Sequence, residues 1–293
     1  MRLTAYLSAM VLVLSGLTLQ AQLDPIRGSE FAAALNVPSK NLKVEGRAFV
    51  PDSVQSLRAA IVFMTVGETP ILFYEPSWQS LAAATNAALV VARVTYIAPP
   101  DGQVPVSGQP ARNATGGGAD ALLTVLERLG TESGRKELAN VPLAFWGWSA
   151  VASFGTTFAE SWPEKTVAVV RFHTNRRGMD TNVSRLSEVP MLLLAGGKDT
   201  TAGTDDAEAL WKEGRAVGAP WTLVVNPDAT HGGVDPILKS NDMALSWMRS
   251  VLTQRVAGEN RTLRRIMASP SNENWFPSDE SRAAARLLSV GTK

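Results

Sequence analysis

The chain contains no cysteine among its 293 residues. That absence removes disulfides, zinc–thiolate sites, iron–sulfur clusters and a cysteine nucleophile together. Histidine is nearly as scarce, with only His173 and His231 present. There is no His-Glu-x-x-His run, so no metal site is expected. Neither sign of charge is in excess: 28 basic residues face 27 acidic ones, which gives no electrostatic ground for a nucleic-acid partner. Arg255, Arg261, Arg264 and Arg265 are followed closely by acidic residues, the pattern of a solvated surface. Gly116-Gly117-Gly118 is not followed by Gly-Lys-Ser/Thr, so no phosphate loop and no nucleotide cofactor is read there.

Long hydrophobic runs are lacking except at the start. One positive charge, Arg2, precedes an apolar stretch to about Leu19, followed by small and polar residues. Residues 1–21 therefore read as a secretory signal peptide cleaved near Ala21. The run is short for a hydrocarbon layer of about 30 Å, so no stable membrane insertion is expected after cleavage. Export of a cysteine-free chain fits a bacterial periplasm or exterior.

Apolar residues make up 45% of the chain, enough for a sizeable core. Residues 22–57 are expected to form an arm and an edge strand, because Leu42–Val50 alternates in polarity. Residues 58–256 alternate between two patterns. Ala59–Met64, Ala88–Val94, Pro142–Trp146, Val167–Phe172, Met191–Ala195 and Trp221–Val225 are short and β-rich. Ser77–Ala87, Ala119–Leu129, Ala150–Glu160, Thr204–Ala216 and Pro236–Val256 have helical spacing. That order predicts an α/β class chain with a doubly wound, mostly parallel sheet. In such sheets ligands bind beyond the carboxyl ends of the strands. Residues 257–293 are expected to be a tail packed on the domain, with Trp275 and Phe276 as its anchors and a short helix at Ser281–Leu288.

The segment Phe145-Trp146-Gly147-Trp148-Ser149-Ala150-Val151 runs an apolar strand into Gly-x-Ser and then a helix. It resembles the nucleophile elbow of the α/β hydrolases, where a strained turn projects a serine above the sheet. Val151 departs from the family's usual glycine at that place. Met191-Leu-Leu-Leu-Ala-Gly-Gly-Lys-Asp199 resembles the family's acid-bearing strand, and Pro227-Asp-Ala-Thr-His231-Gly-Gly its histidine loop. The chain order Ser, Asp, His is the family's. The resemblance covers residues 58–256. It implies the α/β-hydrolase fold and a triad of Ser149, Asp199 and His231. It also implies two backbone N–H donors for an oxyanion, from Ala150 and from the loop at Val66 or Gly67.

His173 also follows a strand, but it precedes the aspartate and so breaks the family order; it is left as a loop histidine or a substrate-pocket contact. Asp205 and Asp206 stand at a helix start and Asp228 in a tight turn, so Asp199 is preferred as the acid. Trp148 is a candidate pocket residue and Trp146 a core residue. Only about 18 residues separate Phe172 from Pro190, which leaves no room for a substantial lid domain and implies an open cleft. The leading expectation is a secreted serine hydrolase acting on a small-molecule or polymer-borne carboxylic ester. A serine peptidase or acyltransferase on the same triad, and an exported binding protein with a degenerate site, remain open.

Overall fold

The computed structural model describes residues 26–98, 110, 112–175, 181–232, 234–256 and 262–290. The expected signal peptide, residues 99–109 and 111, Arg261 and the first residues of the tail lie outside them. Eight strands form one sheet: β1 (Gly28–Val37), β2 (Leu42–Pro51), β3 (Ala59–Met64), β4 (Ala87–Tyr96), β5 (Leu143–Trp148), β6 (Thr166–Phe172), β7 (Met191–Gly196) and β8 (Trp221–Asn226). Their order is β1-β2-β4-β3-β5-β6-β7-β8. The pairs β1–β2 and β2–β4 are antiparallel, and all pairs from β4 to β8 are parallel.

Leu42–Val50 is therefore not the edge strand. β1 occupies that place, and β2 lies between it and β4. β1 is weakly marked in sequence because three alanines dilute its β-branched and aromatic content. Phe31, Ala33, Leu35 and Val37 nevertheless alternate toward the core. A one-turn 3-10 helix and Asn41 at φ +56° reverse the chain so that Val37 pairs with Leu42.

The inner strands are apolar throughout because helices cover both faces. β3 shows the division: Ile61 and Phe63 belong to one core cluster, Ala60, Val62 and Met64 to another. α1 (Pro76–Ala84), α7 (Asn241–Arg255) and α8 (Asp279–Val290) pack on the first face. α2 (Gly118–Glu132), α3 (Ala152–Ser161), α4 (Val183–Leu186) and α5 (Asp205–Ala216) pack on the second. Each fully buried large apolar side chain contributes about 1.5–3 kcal/mol to this arrangement. The helix expected over Pro236–Val256 is two helices, α6 (Val234–Lys239) and α7, broken at buried Ser240. Asn241 fixes the second start by accepting a hydrogen bond from Trp78 Nε1 at 2.7 Å. Between β6 and β7 the only described helix is the four-residue α4, so no large cap is evident there.

The tail covers the free side of β8. Asn274 accepts from Leu223 N–H at 2.7 Å and donates to Leu223 C=O at 2.8 Å, as a neighbouring strand would. Trp275 N–H donates to the Trp221 carbonyl, and the Trp275 ring meets Trp247 edge-on at 6.4 Å. Buried Arg215 holds the tail from beneath by donating to the carbonyls of Ala219, Ser269 and Glu273. Arg215→Ala leaves those acceptors short of a partner and should cost about 2–4 kcal/mol in urea unfolding. A loss below about 0.5 kcal/mol would mean that the clamp does not support the tail.

Candidate active site

Four consecutive neighbours in the sheet end at one place. Ser149 follows β5, His173 follows β6, Asp199 comes soon after β7, and His231 follows β8. The sheet therefore brings together residues far apart in sequence without any long-range loop.

Ser149 sits at φ +53°, a left-handed conformation that costs a non-glycine residue free energy and lifts its side chain out of the turn. Gly147 makes the turn possible. A Cβ placed there would lie 2.5 Å from Ala152 Cα and 2.8 Å from Ala152 N, so strand and helix could not approach. Val151 needs no glycine. Its backbone is right-handed helical (φ −77°), and its side chain packs into the core under α2 and α3. The departure from the elbow pattern is thus accommodated by packing.

Ser149 Oγ lies 2.9 Å from His231 Nε2. His231 Nδ1 lies 2.9 Å from Asp199 Oδ2. The other carboxylate oxygen, Oδ1, accepts from Thr201 N–H at 2.9 Å and Ala202 N–H at 2.8 Å. Burial pushes the Asp199 carboxyl upward, but the bonds from Ala202, His231 and Thr201 outweigh it and hold the group below its ordinary value. These two backbone donors were not legible as such; the Asp-Thr-Thr-Ala-Gly turn is their only trace. The rival aspartates are engaged elsewhere. Asp228 pairs with Lys198 at 2.7 Å, and Asp205 and Asp206 lie in the first turn of α5.

Glycine also brings the acid turn and the histidine loop together. A Cβ on Gly196 would stand 2.5 Å from the Ala229 carbonyl and 2.7 Å from His173 Cε1. Trp148 ties His231 from the other side: its Nε1–H donates to the His231 carbonyl at 3.1 Å.

The serine opens onto a cavity of about 540 Å³. Its walls include Val66, Ile71, Leu72, Trp146, Trp148 and Ile237, so they are mainly apolar. Trp148 lines it; His173 does not, being only 1% exposed, and the expectation of a substrate-pocket role for His173 is corrected on that ground. The loop after β3 also lines the cavity. Gly67 N–H is already given to Thr65 Oγ1 at 3.1 Å, so it is not free to act as a donor. Val66 is the remaining candidate on that loop. Ala150 N–H falls in the first turn of the following helix, where amides have no intrahelical acceptor. Among the described residues there is no group of three or more His, Asp or Glu side chains suited to a metal ion. No helix among them is long and apolar enough to cross a membrane.

No family model and no curated protein sequence matches the chain. Solved structures do. One is a thermostable esterase, 15% identical with a TM-score of 0.54; the match covers 75% of this chain and spans 62% of that one. Another is a cold-adapted esterase from an Arctic intertidal metagenomic library, 17% identical with a TM-score of 0.50, covering 76% of this chain and 93% of that one. With the strand order above, these likenesses establish the α/β-hydrolase fold.

Two outcomes follow from this geometry. Gly147→Ala should cost about 1–3 kcal/mol, read as a lower thermal midpoint, because backbone must move; an unchanged midpoint would contradict the close approach. The second is acid sensitivity. Asp199 titrates lower folded than its ordinary 3.8, so its contribution is complete above that value and is lost as pH falls through the lower, folded one. The stability gap between wild type and Asp199→Asn should therefore narrow below about pH 4. A gap that stays constant to pH 2 would contradict the bonding of the carboxylate.

Proposed function

We propose that the protein is an exported serine hydrolase that cleaves carboxylic esters through an acyl-enzyme. The observation that carries this reading is the unbroken chain Ser149 Oγ–His231 Nε2 and His231 Nδ1–Asp199 Oδ2, with both contacts at 2.9 Å, at the mouth of an apolar cavity. As Ser149 Oγ bonds to the acyl carbon, its proton passes to His231 Nε2. Asp199 holds the imidazole by Nδ1–H and offsets the positive charge it acquires. The developing oxyanion is taken by the N–H groups of Ala150 and Val66. His231 then returns the proton to the leaving alcohol, and water, deprotonated by His231, releases the acid.

The apolar walls favour a substrate with an apolar acyl or alcohol portion, small-molecule or polymer-borne. Among the described residues the short β6–β7 connection adds no large cap at the mouth, which suits bulky esters. The segment before residue 22 supports export. The two esterases of similar fold add weight to ester cleavage, though they share under a fifth of their residues with this chain.

Ser149→Ala should reduce kcat on p-nitrophenyl esters by a factor on the order of 10⁶. Rates should vary with acyl length as the cavity fills, and chelators should have no effect. Wild-type turnover in Ser149→Ala, or activity lost to a chelator and restored by a metal, would overturn the mechanism.

A further inference from the structure

His173 is a residue that the mechanism above leaves unused, and its environment is unusual. It is 1% exposed and sits at φ +49°, a left-handed conformation that is uncommon for residues with a side chain, although Asn, Asp and His adopt it more often than others. Its ring stacks on Phe172 with centroids 4.1 Å apart and planes 15° from parallel. Gly196 leaves out a Cβ that would meet its Cε1. The fold thus holds this imidazole in one place despite backbone strain.

That place is beside the acid. His173 Nδ1 lies 3.4 Å from Asp199 Oδ2, the same oxygen that accepts from His231. Neither ring nitrogen of His173 makes an aligned hydrogen bond among the described residues. A buried imidazole serving only to fill space would be expected to have a settled partner. Here the acceptors beside the ring are the Thr230 backbone carbonyl and a carboxylate whose work is to aim another histidine. The groups around the ring are Asp199, His231 and the Thr230 backbone. Burial pushes the His173 ring below the ordinary histidine range, while Asp199 opposes that in part. A neutral ring carries one N–H, for which the Asp199 carboxylate beside Nδ1 competes with the Thr230 carbonyl; the charged acceptor makes the stronger bond and favours Nδ1–H.

We propose that His173 is a positioning residue: its Nδ1–H is the second donor to Asp199 Oδ2 and holds the carboxylate in the plane that meets His231. Each oxygen of Asp199 then has two donors, Thr201 and Ala202 on Oδ1, His231 and His173 on Oδ2. Such contacts are often long in the free enzyme and shorten when charge develops. His173 does not act as the base, because Ser149 Oγ is bonded to His231 and His173 is sealed from the cavity. The inference rests on the reading of Asp199 as the acid of a serine hydrolase.

The experiment compares wild type, His173→Phe and His173→Asn on a p-nitrophenyl ester. Phe keeps the stack and removes the donor. Asn tolerates positive φ and places an amide N–H near the Nδ1 position. His173→Phe should lower kcat about 10- to 100-fold, the kinetic equivalent of one hydrogen bond to a charged group, with KM nearly unchanged. His173→Asn should restore most of that loss. Full kcat in His173→Phe, or no recovery in His173→Asn, would overturn the proposal. Should Phe prevent folding, the ring ¹⁵N spectrum of the untagged wild type decides, since the chain has only two histidines and His231→Asn assigns them. His173 should be the neutral Nδ1–H tautomer at pH 7; an Nε2–H tautomer would overturn the proposal. A wild type that cleaves no ester would defeat the hydrolase reading itself, while the tautomer would still settle whether the His173–Asp199 bond exists.

Discussion

A carboxylate buried at the end of a parallel sheet is tolerable only if its charge is met by donors. Asp199 meets that condition with two backbone N–H groups on one oxygen and His231 on the other. The surrounding features can be understood as ways of bringing those donors in. Gly196 lets the histidine loop pass close to the acid turn, and Trp148 grips the carbonyl of His231. Lys198 takes up Asp228, the carboxylate nearest in sequence to His231. Leaving Asp199 unpaired would cost several kcal/mol, so the local geometry is strongly determined.

The sheet supplies the remaining constraint. Parallel strands β5 to β8 end side by side, and each delivers one polar residue to the same edge. Strain is accepted at two of these ends, Ser149 and His173, both at positive φ. Strain of this kind persists only where the surroundings over-determine it. Here apolar strands covered on both faces, with the tail sealing β8, form that rigid surround.

Much of this was legible because buried parallel strands read as apolar runs, and the turns after them carry glycine and polar residues. The run Met191–Ala195 followed by Gly-Gly-Lys-Asp is an example: the strand, the turn and the aspartate that meets His231 can be read directly. β1 was not legible, because Ala32, Ala33 and Ala34 carry little strand preference and its stability comes from pairing with β2. The break at Ser240 depends on Trp78, far away in sequence. Gly67 seemed free until Thr65 was seen to take its N–H. His173 looked like a pocket residue because strand ends usually face the ligand; the stack on Phe172 turns it inward instead.

The central claim is that Ser149 is a nucleophile activated through His231 and Asp199. The most direct measurement is intact-protein and peptide mass spectrometry after exposure to a fluorophosphonate, run beside Asp199→Asn. The account predicts one adduct per chain, on the peptide carrying Ser149, formed far more slowly in Asp199→Asn. No adduct on the folded wild-type protein, or labelling at equal rates in both, would contradict it.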